Sequence, residues 1–275
     1  VDRIGDRKVI ASVSGGKDST ALALYLQELG IPYTAVNMDT GWEHPVTLRY
    51  VKEVLDPMFG VEVLTSEGME ALVERKGIFP SRFKRFCTDE LKLKPFKRWL
   101  EGQYPDKAAR RHEVVNVIGV RRAESARRSQ AERWNSDGYM GIDVWRPLVE
   151  HSYGDVIAMH QAAGVVPNPL YLNGASRVGC FPCIYARKAE IAMVQRLLPE
   201  RIDKIRELEE TLSAGAEARA QEPSAAQIQR ERAILRVSYL IASEGADIRW
   251  TDWKLAAGGK DTLPPHLKAL QSKLI

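Results

Sequence analysis

Residues 8–29 read KVIASVSGGKDSTALALYLQEL, and this stretch decides the fold. Its first six residues are an apolar run rich in β-branched side chains, the pattern of a buried strand. Its last eleven space apolar residues at helical intervals and stop at Gly30, a helix-ending residue. Between them lie Ser14, Gly15, Gly16, Lys17, Asp18 and Ser19, a turn whose two glycines let the backbone approach a phosphate closely. The helix that follows aims unpaired N–H groups and the positive end of its dipole at the same place. Ser14 and Ser19 add hydroxyl donors, Lys17 adds a cation, and Asp18 is placed to cap the helix or to help hold a magnesium ion. The spacing differs from the Gly-x4-Gly-Lys-Ser/Thr phosphate loop. A lone Gly-Gly turn would be only a tight turn, but the full string between a buried strand and an amphipathic helix reads as a device for nucleotide phosphates.

The strand-then-helix pattern recurs downstream. Residues 33–38 read as a second strand, 44–59 as a helix and 61–64 as a third strand. Residues 90–100 form a basic amphipathic helix, and 114–118 another buried strand, followed at once by Gly119 and a run of arginines. Strands alternating with helices predict an α/β fold, a parallel twisted sheet with helices on both faces. In such sheets ligands bind beyond the carboxyl ends of the strands. After Leu148 the pattern changes. Residues 154–163 read as a short helix, 165–177 as a loop, and 186–212 and 224–243 as helices, with a Gly/Pro-rich irregular stretch at 256–265. The expected division is a nucleotide-binding domain over 1–175 and, over 176–275, a Cys-x-x-Cys element with a helical C-terminal region.

The formal net charge of +4 is unevenly spread. Between Arg82 and Arg133 stand fifteen Lys/Arg against seven Asp/Glu, so the remainder is net negative. The excess is either a solvated surface or a site for polyanions, nucleotide phosphates or nucleic acid. Lys92, Lys94, Arg98, Arg110 and Arg111 are candidate contacts to a nucleic-acid backbone. No stretch reaches the roughly 18 consecutive apolar residues of a membrane helix, and the first residues carry no apolar signal region. Three cysteines are a poor disulfide framework. A reducing, cytoplasmic location is expected.

The string from Ser14 to Ser19 resembles the signature of the PP-loop nucleotide α-hydrolases, which cleave ATP between its α and β phosphates. Further residues are similar to the phosphoadenylyl-sulfate reductase branch: Asp39-Thr40-Gly41 with Trp42 to Pro45; Gly119-Val120-Arg121-Arg122 with Glu124, Ser125, Arg127 and Arg128; Trp145 to Leu148; Asn168 to Tyr171; and Gly179-Cys180-Phe181-Pro182-Cys183. The resemblance covers roughly residues 8–190 and implies a nucleotide pocket that uses Ser14 to Ser19, Asp39 and Gly119. Lys17, Asp18, Arg121 and Arg128 are the candidate catalytic residues, the three cations being of the type that stabilises charge on the phosphates. The thioredoxin-dependent reductases attack sulfate with a cysteine in a C-terminal Glu-Cys-Gly-x-His context, and this sequence has no cysteine after Cys183. Cluster-bearing reductases use paired cysteines where this sequence has only Cys87. The mix is closest to iron–sulfur sulfurtransferases and DNA-phosphorothioating members. The expected activity is therefore ATP-dependent activation, releasing AMP and pyrophosphate, coupled to sulfur transfer. Reduction of adenylyl-sulfate or phosphoadenylyl-sulfate is the alternative, and a non-catalytic nucleotide-binding scaffold subunit is a third.

Cys180 and Cys183 are spaced so that two thiolates reach one centre from a single turn. By itself the pair is a redox couple, half of a zinc site or part of an iron–sulfur cluster. The resemblance places Cys87 close to it, and three thiolates suit a four-iron four-sulfur cluster with one iron open. For zinc, the alternative, His44, His112, His151 or His160 is the candidate fourth ligand. Three unrelated thiols are the plain alternative. Expected cofactors are thus ATP with Mg2+ and a 4Fe-4S cluster. Candidate partners are an adenine nucleotide, DNA, RNA or a small anionic acceptor, a sulfur-donating protein, and a second copy of the chain in a homodimer.

Overall fold

A computed structural model describes residues 3–81 and 83–221. One compact unit spans Val1–Gly215. The helices expected over 224–243 and the irregular stretch at 256–265 lie outside the described residues.

Six strands form one sheet in the order β3-β2-β1-β4-β6-β5. They are β1 (Lys8–Ser12), β2 (Tyr33–Asp39), β3 (Val61–Thr65), β4 (Val114–Ile118), β5 (Trp134–Asp137) and β6 (Ile142–Trp145). The pairs β1–β2, β1–β4, β2–β3 and β4–β6 are parallel, as expected. The β5–β6 pair is an antiparallel hairpin at the sheet edge, which the sequence pattern did not reveal. Its strands are only four residues each and mix polar with aromatic side chains, so no run of period two stands out. What holds the hairpin is a stack of Trp134 on Trp145, ring centres 5.5 Å apart.

Successive residues of β1 feed opposite layers. Val9, Ala11 and Val13 pack with α1 (Lys17–Glu28) and α8 (Tyr153–Ala162), while Ile10 packs with Phe96 and Leu100 of α6 (Lys94–Gln103). The sheet is therefore covered on both faces, which is why its central strands β1 and β4 read as near-continuous apolar runs. The helix expected over 44–59 is α2 (Pro45–Tyr50), a π-helical turn (Val51–Leu55) and α3 (Asp56–Phe59) in succession. Two further helices, α4 (Met69–Lys76) and α7 (Lys107–Glu113), were not foreseen. The basic helix begins earlier than its periodicity suggested, as α5 (Phe86–Thr88) and a π-helical turn (Asp89–Leu93) leading into α6. The helix expected over 186–212 is broken into α9 (Lys188–Leu197) and α10 (Pro199–Gln221). Pro199 excludes its predecessor from helical geometry, and Leu198 sits at φ −151°, ψ 63°.

Candidate functional site: a phosphate loop beside a thiol-lined cavity

β1 has β2 on one side and β4 on the other, so the strand order reverses there. The loop from Ser14 leaves β1 at this switch point, and Gly119 and Arg121 leave β4 beside it. Ser19 braces the loop: its hydroxyl donates to Gly16 O at 2.9 Å and accepts from the Ser14 N–H at 3.0 Å. Gly15 has φ +75°, and a Cβ on it would stand 3.1 Å from methyl groups of Thr47 and Val51. A side chain there is both strained and crowded. The Asn168 amide clamps the turn from outside, donating to Gly15 O at 3.3 Å and to Thr47 Oγ1 at 3.2 Å.

The charged residues of the motif form one chain. The Lys17 ammonium is 3.0 Å from Asp18 Oδ2, and the Arg121 Nε–H donates to Asp18 Oδ1 at 2.5 Å. Arg121 is only 4% exposed. Its backbone N–H donates to Glu124 Oε1 at 2.7 Å, and the other Glu124 oxygen is ion-paired with Arg128. Arg128 thus joins the phosphate loop through Glu124 and Arg121. Lys17 also lies over the Tyr171 ring, 4.9 Å from its centre, and its N–H donates to the Tyr171 hydroxyl at 3.2 Å. Burial pushes the Tyr171 hydroxyl well above its ordinary pKa, so the group is neutral. Gly119 serves by being small: a Cβ on it would fall 2.5 Å from the Asp18 carbonyl oxygen. Asp39, at the end of β2, accepts from the Gly41 N–H at 2.8 Å and shapes the turn that leads to Glu43.

A cavity of about 790 Å3 opens beyond the carboxyl end of β4. Cys87, Cys180, Cys183 and Lys92 all line it. Arg85, Arg127, Arg128, Arg146 and Arg177 line it too, opposed by Glu124 and Glu132, so its lining is strongly cationic. Cys87 comes from α5. Cys180 is held by an antiparallel bridge to Glu43 and by the Phe181 N–H donating to Trp42 O at 2.7 Å. The Arg177 guanidinium donates to Cys183 Sγ at 3.7 Å, and the Thr40 hydroxyl lies 3.5 Å from Cys180 Sγ. Burial pushes the Cys180 thiol up, and the Lys92 ammonium acts against that by favouring the thiolate. Lys92 is in turn held charged, first by Cys180 and then by Glu43. Among the described residues no three His, Cys, Asp or Glu side chains are gathered so as to hold a metal ion.

Several residues differ from their sequence reading. Arg110, a candidate backbone contact, is 1% exposed, and its guanidinium donates to Tyr104 O, Met140 O and Pro105 O at 2.6, 2.9 and 3.2 Å. It staples α7 to the turn before β6 and faces no solvent. Lys92 is half-buried against the thiols. Lys94 is ion-paired with Glu90 and Asp89. Arg98 and Arg111 are exposed. The His44 ring accepts the Val46 N–H at 3.0 Å, and both His160 nitrogens face backbone carbonyls, of Lys17 at 2.9 Å and Val165 at 3.1 Å. These two rings serve the backbone. The sequence reading gave no role to Glu43, a buried carboxylate that accepts from Thr40 Oγ1 at 2.7 Å and whose pKa burial raises. Its only signal was its place in the Trp42 to Pro45 stretch that follows β2.

A doubly wound sheet with this loop at its switch point defines a nucleotide-binding α/β protein of the PP-loop type. More narrowly, the chain belongs to the phosphoadenosine phosphosulfate reductase domain family, whose sequence profile matches residues 8–186. An uncharacterised 37.8 kDa protein of Escherichia phage 186 is 30% identical over 91% of this chain and 89% of its own length. An uncharacterised Methanocaldococcus jannaschii protein is 30% identical over 72% of this chain, which spans only 40% of that relative. An adenosine 5'-phosphosulfate reductase of Burkholderia cepacia is 27% identical over 67% of this chain and 73% of its own length. The crystal structure of a phosphoadenylyl-sulfate reductase from Candida auris shares the fold, with a TM-score of 0.51 at 14% identity over 66% of this chain and 85% of that one. Among the described residues no helix is long and apolar enough to cross a membrane.

Proposed function

We propose that the chain binds ATP with Mg2+ at the Ser14–Ser19 loop, transfers AMP to an acceptor oxygen with release of pyrophosphate, and then replaces that oxygen by sulfur. The observation that carries this reading is continuity. Lys17, Asp18 and Arg121 at the loop connect through Glu124 to Arg128, which lines the same cavity as the three thiols. Adenylation makes a poor oxygen leaving group depart as AMP, and the cations sit where phosphate charge develops. The cationic cavity suits an anionic acceptor, a nucleic acid or a small anion, and a protein partner would deliver the sulfur. Cys87, Cys180 and Cys183 would hold a 4Fe-4S cluster, whose thiolate charge Lys92 and Arg177 are placed to balance. Thiolates are the ligands such a cluster takes, four being usual, so three from this chain would leave one iron for another ligand.

Anaerobic assay of pyrophosphate release from ATP tests the first step. Lys17→Ala is expected to weaken nucleotide binding or turnover at least about tenfold, about 1.4 kcal/mol. Unchanged binding and turnover would remove the phosphate-loop assignment. The similarity to the Burkholderia cepacia enzyme favours a second reading, reduction of adenylyl-sulfate, which sulfite release from that compound would reveal.

A further inference from the structure

We propose that the Tyr171 hydroxyl competes with the nucleotide phosphate for Lys17, so that Tyr171 sets the affinity of the phosphate loop. This rests on the reading of Ser14 to Ser19 as the phosphate site.

The Lys17 N–H belongs to the first turn of α1, among the donors that a helix N-terminus offers an anion. Its acceptor is Tyr171 Oη at 3.2 Å. The same ring lies under the Lys17 ammonium, 4.9 Å from ring centre to nitrogen. The hydroxyl also fills the mouth of the glycine turn, since a Cβ on Gly16 would stand 3.4 Å from it. One side chain thus engages both groups that Lys17 would present to a phosphate, the backbone donor and the cation. The competition is unequal. A neutral hydroxyl accepts a bond of ordinary strength, whereas a phosphate oxygen accepts a charge-assisted one roughly twice as strong. The phosphate therefore wins, with an apparent affinity reduced by the fraction of molecules in which Tyr171 holds the loop.

The turn that carries Tyr171 is fixed to the phosphate loop. Tyr171 lies in a short 3-10 turn (Pro169–Asn173) that ends at Gly174 with φ +91°. One end of the turn is pinned by Asn168, which also holds Gly15 O, so the turn stays registered to the loop while the side chain changes rotamer.

Binding of α,β-methylene-ATP to the full chain, measured by calorimetry, tests the proposal. Tyr171→Phe keeps the ring under Lys17 and removes only the hydroxyl, so it is expected to bind about fivefold more tightly than wild type, the worth of one neutral hydrogen bond. Tyr171→Leu, which also removes the ring from the ammonium and leaves it to Asp18 and the Tyr153 ring, is expected to bind at least as tightly as the Phe variant. Thermal midpoints within about 2 °C of wild type would show that the variants remain folded. Weaker binding by Tyr171→Phe would make Tyr171 a phosphate ligand and overturn the proposal, and equal binding would make it a packing residue, with the same consequence. If wild type fails to bind the analogue, the phosphate-loop reading falls and takes this one with it. If wild type binds and Tyr171→Phe does not tighten, this proposal alone falls.

Discussion

Asp18 is the residue on which the site turns, because two cations share its carboxylate. Its side chain is 14% exposed and that of Arg121 4%, so the pair is largely screened from water. Removing Arg121 leaves Asp18 with Lys17 as its remaining cation, 3.0 Å away, so what is lost is one charge-assisted hydrogen bond. Arg121→Ala is therefore expected to lower unfolding free energy by about 2 kcal/mol and to reduce pyrophosphate release at least about tenfold. The double variant Asp18→Asn/Arg121→Ala should lose less stability than the two single losses combined, because the Asp18–Arg121 contact is then counted once and not twice. Urea unfolding of the three variants checks this, and strict additivity would show that the contact carries no coupling. Arg121 was legible in the sequence because it follows a buried strand directly, a position that points at the sheet's switch point. Arg110 was not legible. In sequence it is one of several arginines in a basic run, and only the fold shows three backbone carbonyls converging on its guanidinium. Tyr171 was read as part of a motif without a role, since its partner Lys17 is 154 residues away.

Between elements, the closest fit in the site is β4 against the start of α1. A methyl group on Gly119 would meet the Asp18 carbonyl oxygen at 2.5 Å and the carbonyl carbon at 2.9 Å, both backbone atoms that no side-chain rotation can move. Gly119→Ala is expected to push the N-terminus of α1 from the sheet, weaken nucleotide binding at least about tenfold and cost about 2 kcal/mol of stability, a typical overpacking penalty. Gly102, inside α6, has nothing within 4 Å of its would-be Cβ. Gly102→Ala is expected to leave binding unchanged and to stabilise by up to about 1 kcal/mol through helix propensity. Nucleotide titration and thermal melts of both variants separate steric from conformational effects, and equal behaviour of the two would refute the close-approach argument. Strands β1 to β4 and helix α1 were legible because each buries one continuous or periodic apolar pattern, whereas α4 and α7, eight and seven residues long, span only about two turns and were not. The β5–β6 hairpin was hidden because four-residue strands carry too little periodicity, and the break at Pro199 was hidden because the apolar spacing continues across it.

At the scale of the whole molecule, three thiols from stretches about ninety residues apart in sequence line one cavity, without being gathered into a metal-holding group among the described residues. The Cys-x-x-Cys spacing was visible, but its place in the same cavity as Cys87 was not, since Cys180 is held by a bridge to Glu43, a contact across about half of the chain. Cys87 and Cys180 both pack into the cluster that holds Trp42, Leu72 and Leu91, so burial alone would keep them as inert small hydrophobes. Two features argue for more. Lys92 is half-buried facing them, where Cys180 and the Glu43 carboxylate are the negative partners that favour its charge. Arg177 is a second cation and contacts Cys183 directly. On the proposed reading, anaerobically purified protein is brown and contains about four irons and four sulfides per chain. Cys87→Ala, Cys180→Ala and Cys183→Ala each lose the colour and the sulfur transfer. Pyrophosphate release persists in all three, because none of the thiols braces the phosphate loop. Iron and sulfide analysis with a visible spectrum measures the first outcome, and pyrophosphate release by the same preparations measures the last. One zinc per chain, without colour, would replace the cluster by the alternative metal. A colourless protein that keeps full activity after chelation would reduce the three thiols to packing.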